Sequence, residues 1–357
     1  MRNKDNNLKT IKDLLQNQNE KPIFLFGNGI NIYNDGTNND EICWNKLINS
    51  IANHENSENI QIVNSSLIER YEFLLLDKFL NSELNKDALD IRTEKEISNK
   101  FLDDIESKIE DINSISKQNF LEVLKKYKIN ALTTNFEYKY LDSSNYSYQS
   151  KDTIISSNDT TNKIIRFSSY YPINVHYRLS ENSKIYFPHG IFKMKDSIKL
   201  SFHNYLKTIE YFRKLLPQYT FEKKRNETKS DYLENLQLKF KSSWLFDFFT
   251  KDIIIFGLGL GQDELFLRWL FIERYRFNNL YSSNNYIDVV PNPNVKTYYI
   301  NFNNENNINE LKDNNKIENK IKKNVFFESL GIHEINFSNY SDFYKDLFNE
   351  LLKDDTK

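Results

Sequence analysis

Apolar residues recur along this chain in two rhythms. Ile23-Phe24-Leu25-Phe26 and Ile253-Ile254-Ile255-Phe256 are apolar at every position, the pattern of central parallel strands covered on both faces. Spacings of three and four residues alternate with these runs. Leu8, Ile11, Leu14 and Leu15 predict an amphipathic helix ahead of the first strand. Trp44, Leu47, Ile48 and Ile51, then Leu67, Tyr71, Leu74, Leu75 and Phe79, predict mostly helical structure from 40 to about 127. Short strands follow at Ile129–Thr134 and Ile185–Phe187. Tyr205, Ile209, Phe212 and Leu216 make one helical stripe, ended by Pro217. A helix over Asp231–Phe249 precedes the strand Asp252–Phe256, and another runs from about Asp263 to Phe277. Lys296–Phe302 and Glu334–Phe337 are late strands, before a terminal helix carrying Tyr340, Phe343, Tyr344, Leu347 and Leu351.

Strands alternating with helices predict an α/β fold, a Rossmann-like doubly wound and mostly parallel sheet. The chain is expected to form a single domain, with the mostly helical stretches 40–127 and 200–250 as insertions forming a small second lobe. Segments 145–165 and 278–294 are polar and turn-rich and are expected to be loops.

Composition narrows the partners. With 39% apolar and 15% aromatic residues there is ample material for a core. The formal charge of −2 has interleaved signs, which disfavours nucleic acid as a direct partner. Glu222–Lys229 and Lys316–Lys323 are locally basic and are expected to be solvated. Cys43 is the only cysteine, so an internal disulfide and a cysteine-based zinc site are excluded, and no metal is expected. The first residues, MRNKDNNLKTIKDLL, lack the apolar stretch of a signal peptide. No apolar run approaches the ~20 residues of a membrane span. A soluble, cytoplasmic protein is expected.

Glycine is scarce, with 8 in 357 residues, where average usage is roughly 7%. Six of them mark three places: Gly27 and Gly29; Gly190; and Gly257, Gly259 and Gly261. Phe26-Gly27-Asn28-Gly29-Ile30-Asn31 follows a buried strand, where backbone N–H groups suit a pyrophosphate. Ile32 stands where a dinucleotide fingerprint needs its third glycine. An ordinary strand-to-loop turn is the alternative. Thr133-Thr134-Asn135-Phe136-Glu137 ends another strand, placing Asn135 where open α/β sheets bind ligands. Its amide can orient a water or a sugar hydroxyl, or merely close a turn. His189, between Pro188 and Gly190, is a candidate proton acceptor near neutral pH or a structural core histidine. Gly257-Leu258-Gly259-Leu260-Gly261-Gln262-Asp263 repeats the strand–turn–helix form. Asp263 there either caps the helix or, because it would repel phosphate, lies near a ribose.

In order and spacing, these four segments resemble the SIR2-like (sirtuin-fold) family, and more closely its zinc-free members from bacterial antiphage defence. Gly27–Asn31 is similar to the family's first glycine loop, Thr133–Glu137 to its T-T-N-Y-D segment, His189-Gly190 to its catalytic histidine and following glycine, and Gly257–Asp263 to its late ribose loop. Glu137 replaces the usual Asp, and Gly259-Leu260 replaces a Ser-Leu or Ser-Met pair. The resemblance implies NAD+ as substrate. Lacking the four cysteines of the deacylase zinc ribbon, the chain is expected to hydrolyse NAD+ to nicotinamide and ADP-ribose.

On that resemblance Asn135 and His189 are the catalytic residues, His189 as general base. Gly27, Asn28, Gly29, Asn31, Thr134, Glu137, Gly257, Gly259, Gly261 and Asp263 would bind the dinucleotide. Activity would be gated by homo-oligomerisation or by a separately encoded partner such as an ATPase or an Argonaute-type protein. A non-catalytic subunit that binds NAD+ or ADP-ribose within a defence or signalling complex is the alternative, as is an unrelated α/β enzyme such as a nucleoside transferase.

Overall fold

The structure, a computed structural model, describes residues 2–17, 21–34, 37–38, 44, 46–47, 71–72, 91–109, 115–137, 173, 176–192, 194–216, 243–282, 295–302 and 314–353. Among these, seven strands form one sheet. They are β1 (Ile23–Phe26), β4 (Ala131–Thr133), β5 (His176–Ser180), β6 (Ser183–Tyr186), β7 (Ile253–Phe256), β8 (Thr297–Phe302) and β9 (Ile332–Phe337), in the spatial order β5-β6-β4-β1-β7-β8-β9. Only β5 runs antiparallel, beside β6; the other neighbours are parallel. Numbered along the chain, the six parallel strands lie in the order 3-2-1-4-5-6, compatible with a Rossmann-like sheet. Its direction of travel reverses between β1 and β7. The one-turn helix α2 (Gly29–Ile32) follows β1, and a separate pair, β2 (Tyr33–Asn34) and β3 (Thr37–Asn38), forms a small antiparallel ribbon.

Both faces of the sheet are covered, which explains the uninterrupted apolar runs. Phe24, Phe26, Ile254 and Phe256 project into one core, with Ile11 and Leu15 of α1 (Arg2–Gln16) and Phe120, Val123 and Leu124 of α4 (Ile115–Tyr127). The C-terminal segment, a π-helical stretch over Asp342–Leu347 running into α9 (Phe348–Leu352), adds Phe343, Tyr344 and Phe348 to that core. Ile23, Leu25, Ile253 and Ile255 project to the opposite face. They meet α5 (Phe202–Leu215), α6 (Trp244–Thr250), α7 (Leu265–Ser282) and α8 (Asn314–Ser329) through Phe212, Trp244, Phe266 and Phe327. Each such large apolar side chain contributes about 1.5–3 kcal/mol when buried. A third, smaller cluster joins Phe101 and Ile105 of α3 (Ile91–Ile109) to Phe136, Phe192, Ile198 and Leu200, in the loops that leave β4 and β6. Part of the 40–127 helical region therefore packs over the same sheet end as the candidate residues.

Several expectations change in detail. The expected strand 129–134 narrows to Ala131–Thr133, the one at 185–187 becomes Ser183–Tyr186, and the last strand begins at Ile332. β5 was not foreseen: its alternation of inward Tyr177 and Leu179 with exposed Arg178 marks a half-covered edge strand. The basic stretch 316–323 belongs to α8. The expected helix over 231–249 is described only from Trp244; of the expected loop 278–294, residues 278–282 instead continue α7, and 283–294, the loop 145–165, Cys43 and the segment 222–229 lie outside the described residues. No helix among the described residues is long and apolar enough to cross a membrane.

Candidate functional site

The four segments leave the C-terminal ends of four adjacent parallel strands, β7, β1, β4 and β6. The strand registers carry this further. Phe26 pairs with Thr133 and with Phe256, and Leu132 pairs with Tyr186. Beyond these pairs the chain turns: Asn28 lies two residues past β1, Asn135 two past β4 and His189 three past β6. The topology thus brings both expected catalytic residues out of adjacent strands, β4 and β6, at the sheet end that holds the reversal between β1 and β7, where open α/β sheets bind ligands.

At that reversal the two glycine loops are in backbone contact. Gly29 donates its N–H to Gly257 O at 2.8 Å, and Gly27 donates to Phe256 O at 3.2 Å. A Cβ on Gly29 would lie 2.5 Å from Gly257 Cα. Gly257 has φ +61°, and a Cβ there would meet the Tyr344 hydroxyl at 2.8 Å. These glycines therefore serve close approach of two loops. The N–H groups of Gly27 and Gly29, expected to face a phosphate, are already engaged within the protein. Gly259 and Gly261 differ: a Cβ on either meets nothing within 4 Å, and both are exposed. Between them Leu260 is fully buried with φ 47°, and its carbonyl accepts from Arg268 Nη1 at 3.0 Å. Asp263 is half-buried beyond this turn.

Asn135 is fully buried. Its Nδ2 donates to Gly27 O at 3.3 Å and its N–H donates to Thr133 Oγ1 at 3.1 Å, while Oδ1 has no hydrogen-bond partner among the described residues. Thr134 ties the same turn to β1 by donating its N–H to Phe26 O. Asn31 Nδ2 donates to Asn28 Oδ1 at 2.8 Å and to Glu137 Oε1 at 2.6 Å. The same carboxylate oxygen stands 3.6 Å from Lys117 Nζ of α4. Lys117 and Glu137 are almost wholly buried. Burial lowers the proton affinity of Lys117, and Glu137 partly restores it. One oxygen of Glu137 is thus committed to the protein rather than turned to a ligand.

His189 is buried, with Tyr205 edge-on at 5.6 Å between ring centroids and Phe266 at 6.1 Å. Gly190 makes its turn possible: φ is +98° and a Cβ would lie 2.2 Å from Ser197 O. The turn closes through Gly190 N–H to Phe187 O and Lys199 N–H to His189 O. Burial, then the nearby Lys199 charge, pushes the His189 imidazole down to about 3, so it is neutral at physiological pH. Lys199, itself buried, is pushed down to about 7. His189 Nε2 makes no hydrogen bond among the described residues, and the nearest carboxylate oxygen, Glu264 Oε2, stands 3.7 Å away.

Three residues at the site escape the sequence reading. Lys117 has a visible signal: it falls three, four and seven residues before Phe120, Leu121 and Leu124, on the inward stripe of its helix. Glu264 adjoins Asp263 but carries no periodic signal, and Lys199 lies between Ile198 and Leu200 with none. A surface groove of about 640 Å³ lies apart from all of these, between α1 and the C-terminal helices, and no candidate residue lines it. Among the described residues no group of three or more His, Cys, Asp or Glu side chains is arranged for a metal ion.

Compared with known proteins, the chain matches no family model and no curated protein.

Proposed function

We propose that this chain is an NAD+ glycohydrolase of the SIR2-like type, cleaving the nicotinamide–ribose bond to give ADP-ribose and nicotinamide. One observation carries the reading. Asn135 and His189 leave adjacent strands beside the reversal of a 3-2-1-4-5-6 sheet, each buried and each with an unpartnered polar atom. Buried polar atoms without partners are rare in folded proteins and call for an explanation such as a ligand.

The chemistry follows from the bond broken. Its transition state carries positive charge on the sugar, and nicotinamide leaves neutral, so the leaving group needs no acid. The protein must hold the ribose, exclude bulk water and aim one water at C1′. Asn135, anchored by Gly27 and Thr133, orients that water or the ribose hydroxyls. Neutral His189 faces the same space as a hydrogen-bonding partner. The exposed Gly259–Gly261 turn with Asp263 lies toward the adenosine ribose. In this reading the protein depletes NAD+ in the cytoplasm as an antiphage effector, and assembly or a separate partner releases its activity. The α3 region and its neighbours form the second lobe over the site.

The test is nicotinamide release from NAD+ by the wild type, Asn135→Ala and His189→Ala, at low and high protein concentration. Each variant is expected to lose about 100-fold or more in turnover, the scale of a misplaced reacting group. Wild-type turnover by both variants overturns the reading. A non-catalytic NAD+ or ADP-ribose binder is the alternative, because Glu137, at the position of the family's nicotinamide-contacting Asp, has one oxygen engaged by Asn31. Calorimetric NAD+ binding by the wild type without product would establish that alternative.

A further inference from the structure

The late loop delivers a carboxylate for which the reaction above has no role. Glu264 stands at the start of α7, its N–H bonded to Gly261 O. Its Oε2 is buried without a hydrogen-bond partner among the described residues, and so is Nε2 of His189, 3.7 Å away. That separation is too long for a hydrogen bond between them. It suits a single oxygen standing at hydrogen-bond distance, about 2.8 Å, from both. The two side chains differ in access: the His189 side chain is 3% exposed and that of Glu264 is 22%.

Resting on the proposed NAD+ hydrolysis, we propose that Glu264 is a further catalytic residue, holding the attacking water with His189 and taking its proton. As the water oxygen bonds to C1′, the C1′–N bond breaks and its electron pair stays on nicotinamide, neutralising the ring. One O–H bond of the water breaks, and the proton passes to the Glu264 carboxylate. The protonated carboxyl then loses it to solvent through its exposed edge.

The surroundings favour this division of labour. Burial and the adjacent Asp263 push the Glu264 carboxyl up to about 7, near the range where a general base works best at neutral pH. His189, pushed down to about 3, holds no proton there. The other ionisable groups close by are Lys199, whose charge acts on His189, and Tyr205, whose hydroxyl is held protonated by burial and by Glu264 and Asp263. Arg268, one turn along α7, directs its guanidinium to Leu260 O and over the Phe326 ring.

The test compares full-length wild type, Glu264→Gln and Glu264→Asp in two assays across pH 5–9: nicotinamide release from NAD+, and calorimetric binding of ADP-ribose. ADP-ribose carries the transferred oxygen as the hydroxyl on the same carbon. Glu264→Gln is expected to lower kcat by about 100-fold or more, leave KM little changed and abolish the pH limb near 7. Glu264→Asp is expected to retain that limb and part of the rate. ADP-ribose affinity is expected to vary with pH in the wild type and not in Glu264→Gln. A Glu264→Gln variant with wild-type kcat and the same limb overturns the proposal, as does wild-type ADP-ribose affinity with the same pH dependence as the variant's. A wild type that binds ADP-ribose with the pH dependence Glu264→Gln abolishes, yet never turns over NAD+, overturns the hydrolase reading and leaves Glu264 at the anomeric oxygen.

Discussion

Two clusters around a carboxylate stand at the same end of the sheet and are built differently. Around Glu137, Asn31 donates at 2.6 Å and Lys117 pairs at 3.6 Å, and Asn31 is in turn held by Asn28. Around Glu264, the nearest partner is a neutral imidazole at 3.7 Å, and the facing atoms bond to nothing among the described residues. The first cluster ties the turns after β1 and β4 together through Glu137 Oε1, while Glu137 Oε2 and Asn31 Oδ1 stay buried without a hydrogen-bond partner among the described residues. The second holds polar atoms at a spacing the protein does not satisfy. Residue type alone does not tell a structural carboxylate from a reactive one; what already surrounds it does.

The largest effect that can break this contrast is on stability. Lys117→Met leaves Glu137 buried and unpaired, and is expected to cost about 3–5 kcal/mol in urea unfolding. Lys117→Met combined with Glu137→Leu is expected to recover most of that loss, because the uncompensated charge is gone. Glu264→Gln removes no ion pair and relieves a carboxylate whose charged form is disfavoured by burial, so it is expected to cause no loss of stability at neutral pH. Equal losses for Lys117→Met and Glu264→Gln would dissolve the distinction.

The glycines repeat the contrast at smaller scale. Gly29→Ala and Gly190→Ala drive a Cβ into backbone, at 2.5 Å and 2.2 Å. Each is expected to cost about 1–3 kcal/mol in thermal unfolding. Gly259→Ala and Gly261→Ala enter open space and are expected to stay within about 0.5 kcal/mol. Any defect they cause should appear in NAD+ affinity instead. A stability loss at Gly259 matching that at Gly190 would overturn the reading of the late turn as free of packing constraint.

The same contrast extends to pH. His189 binds a proton near 3 in the folded chain and near 6.5 when unfolded. The unfolded state therefore takes up its proton first, and stability falls as pH drops from 6.5 toward 3. Glu264 has the opposite sign, because its folded value of about 7 exceeds the ordinary 4.5. Its contribution is full below 4.5 and is lost as pH rises through 7. Glu264→Gln is expected to flatten the second slope and leave the first, in unfolding free energies measured from pH 3 to 8. An unchanged slope between 4.5 and 7 would show that Glu264 titrates normally.

Most of the sheet was legible in the sequence because its central strands are covered on both faces. That forces Ile23–Phe26 and Ile253–Phe256 to be apolar throughout, a signal each run carries locally. β5 escaped because an edge strand is covered on one side only, so Arg178 interrupts the pattern. Asn135 and His189 were legible as residues that follow such runs. Glu264 was not, because its meaning comes from a histidine 75 positions away. The phosphate role expected of Gly27 and Gly29 also turned on a distant partner, the carbonyls of Phe256 and Gly257.

The sequence by itself determined where strands stop and where the backbone turns sharply, since apolar periodicity, glycine and proline act within a few residues. Only the tertiary structure decided the strand order and with it the placement of Asn28, Asn135 and His189 at one end of the sheet. It also decided which buried charges find partners. Strand pairing, desolvation and ion pairing depend on groups far apart in the chain, whose distances no local pattern encodes.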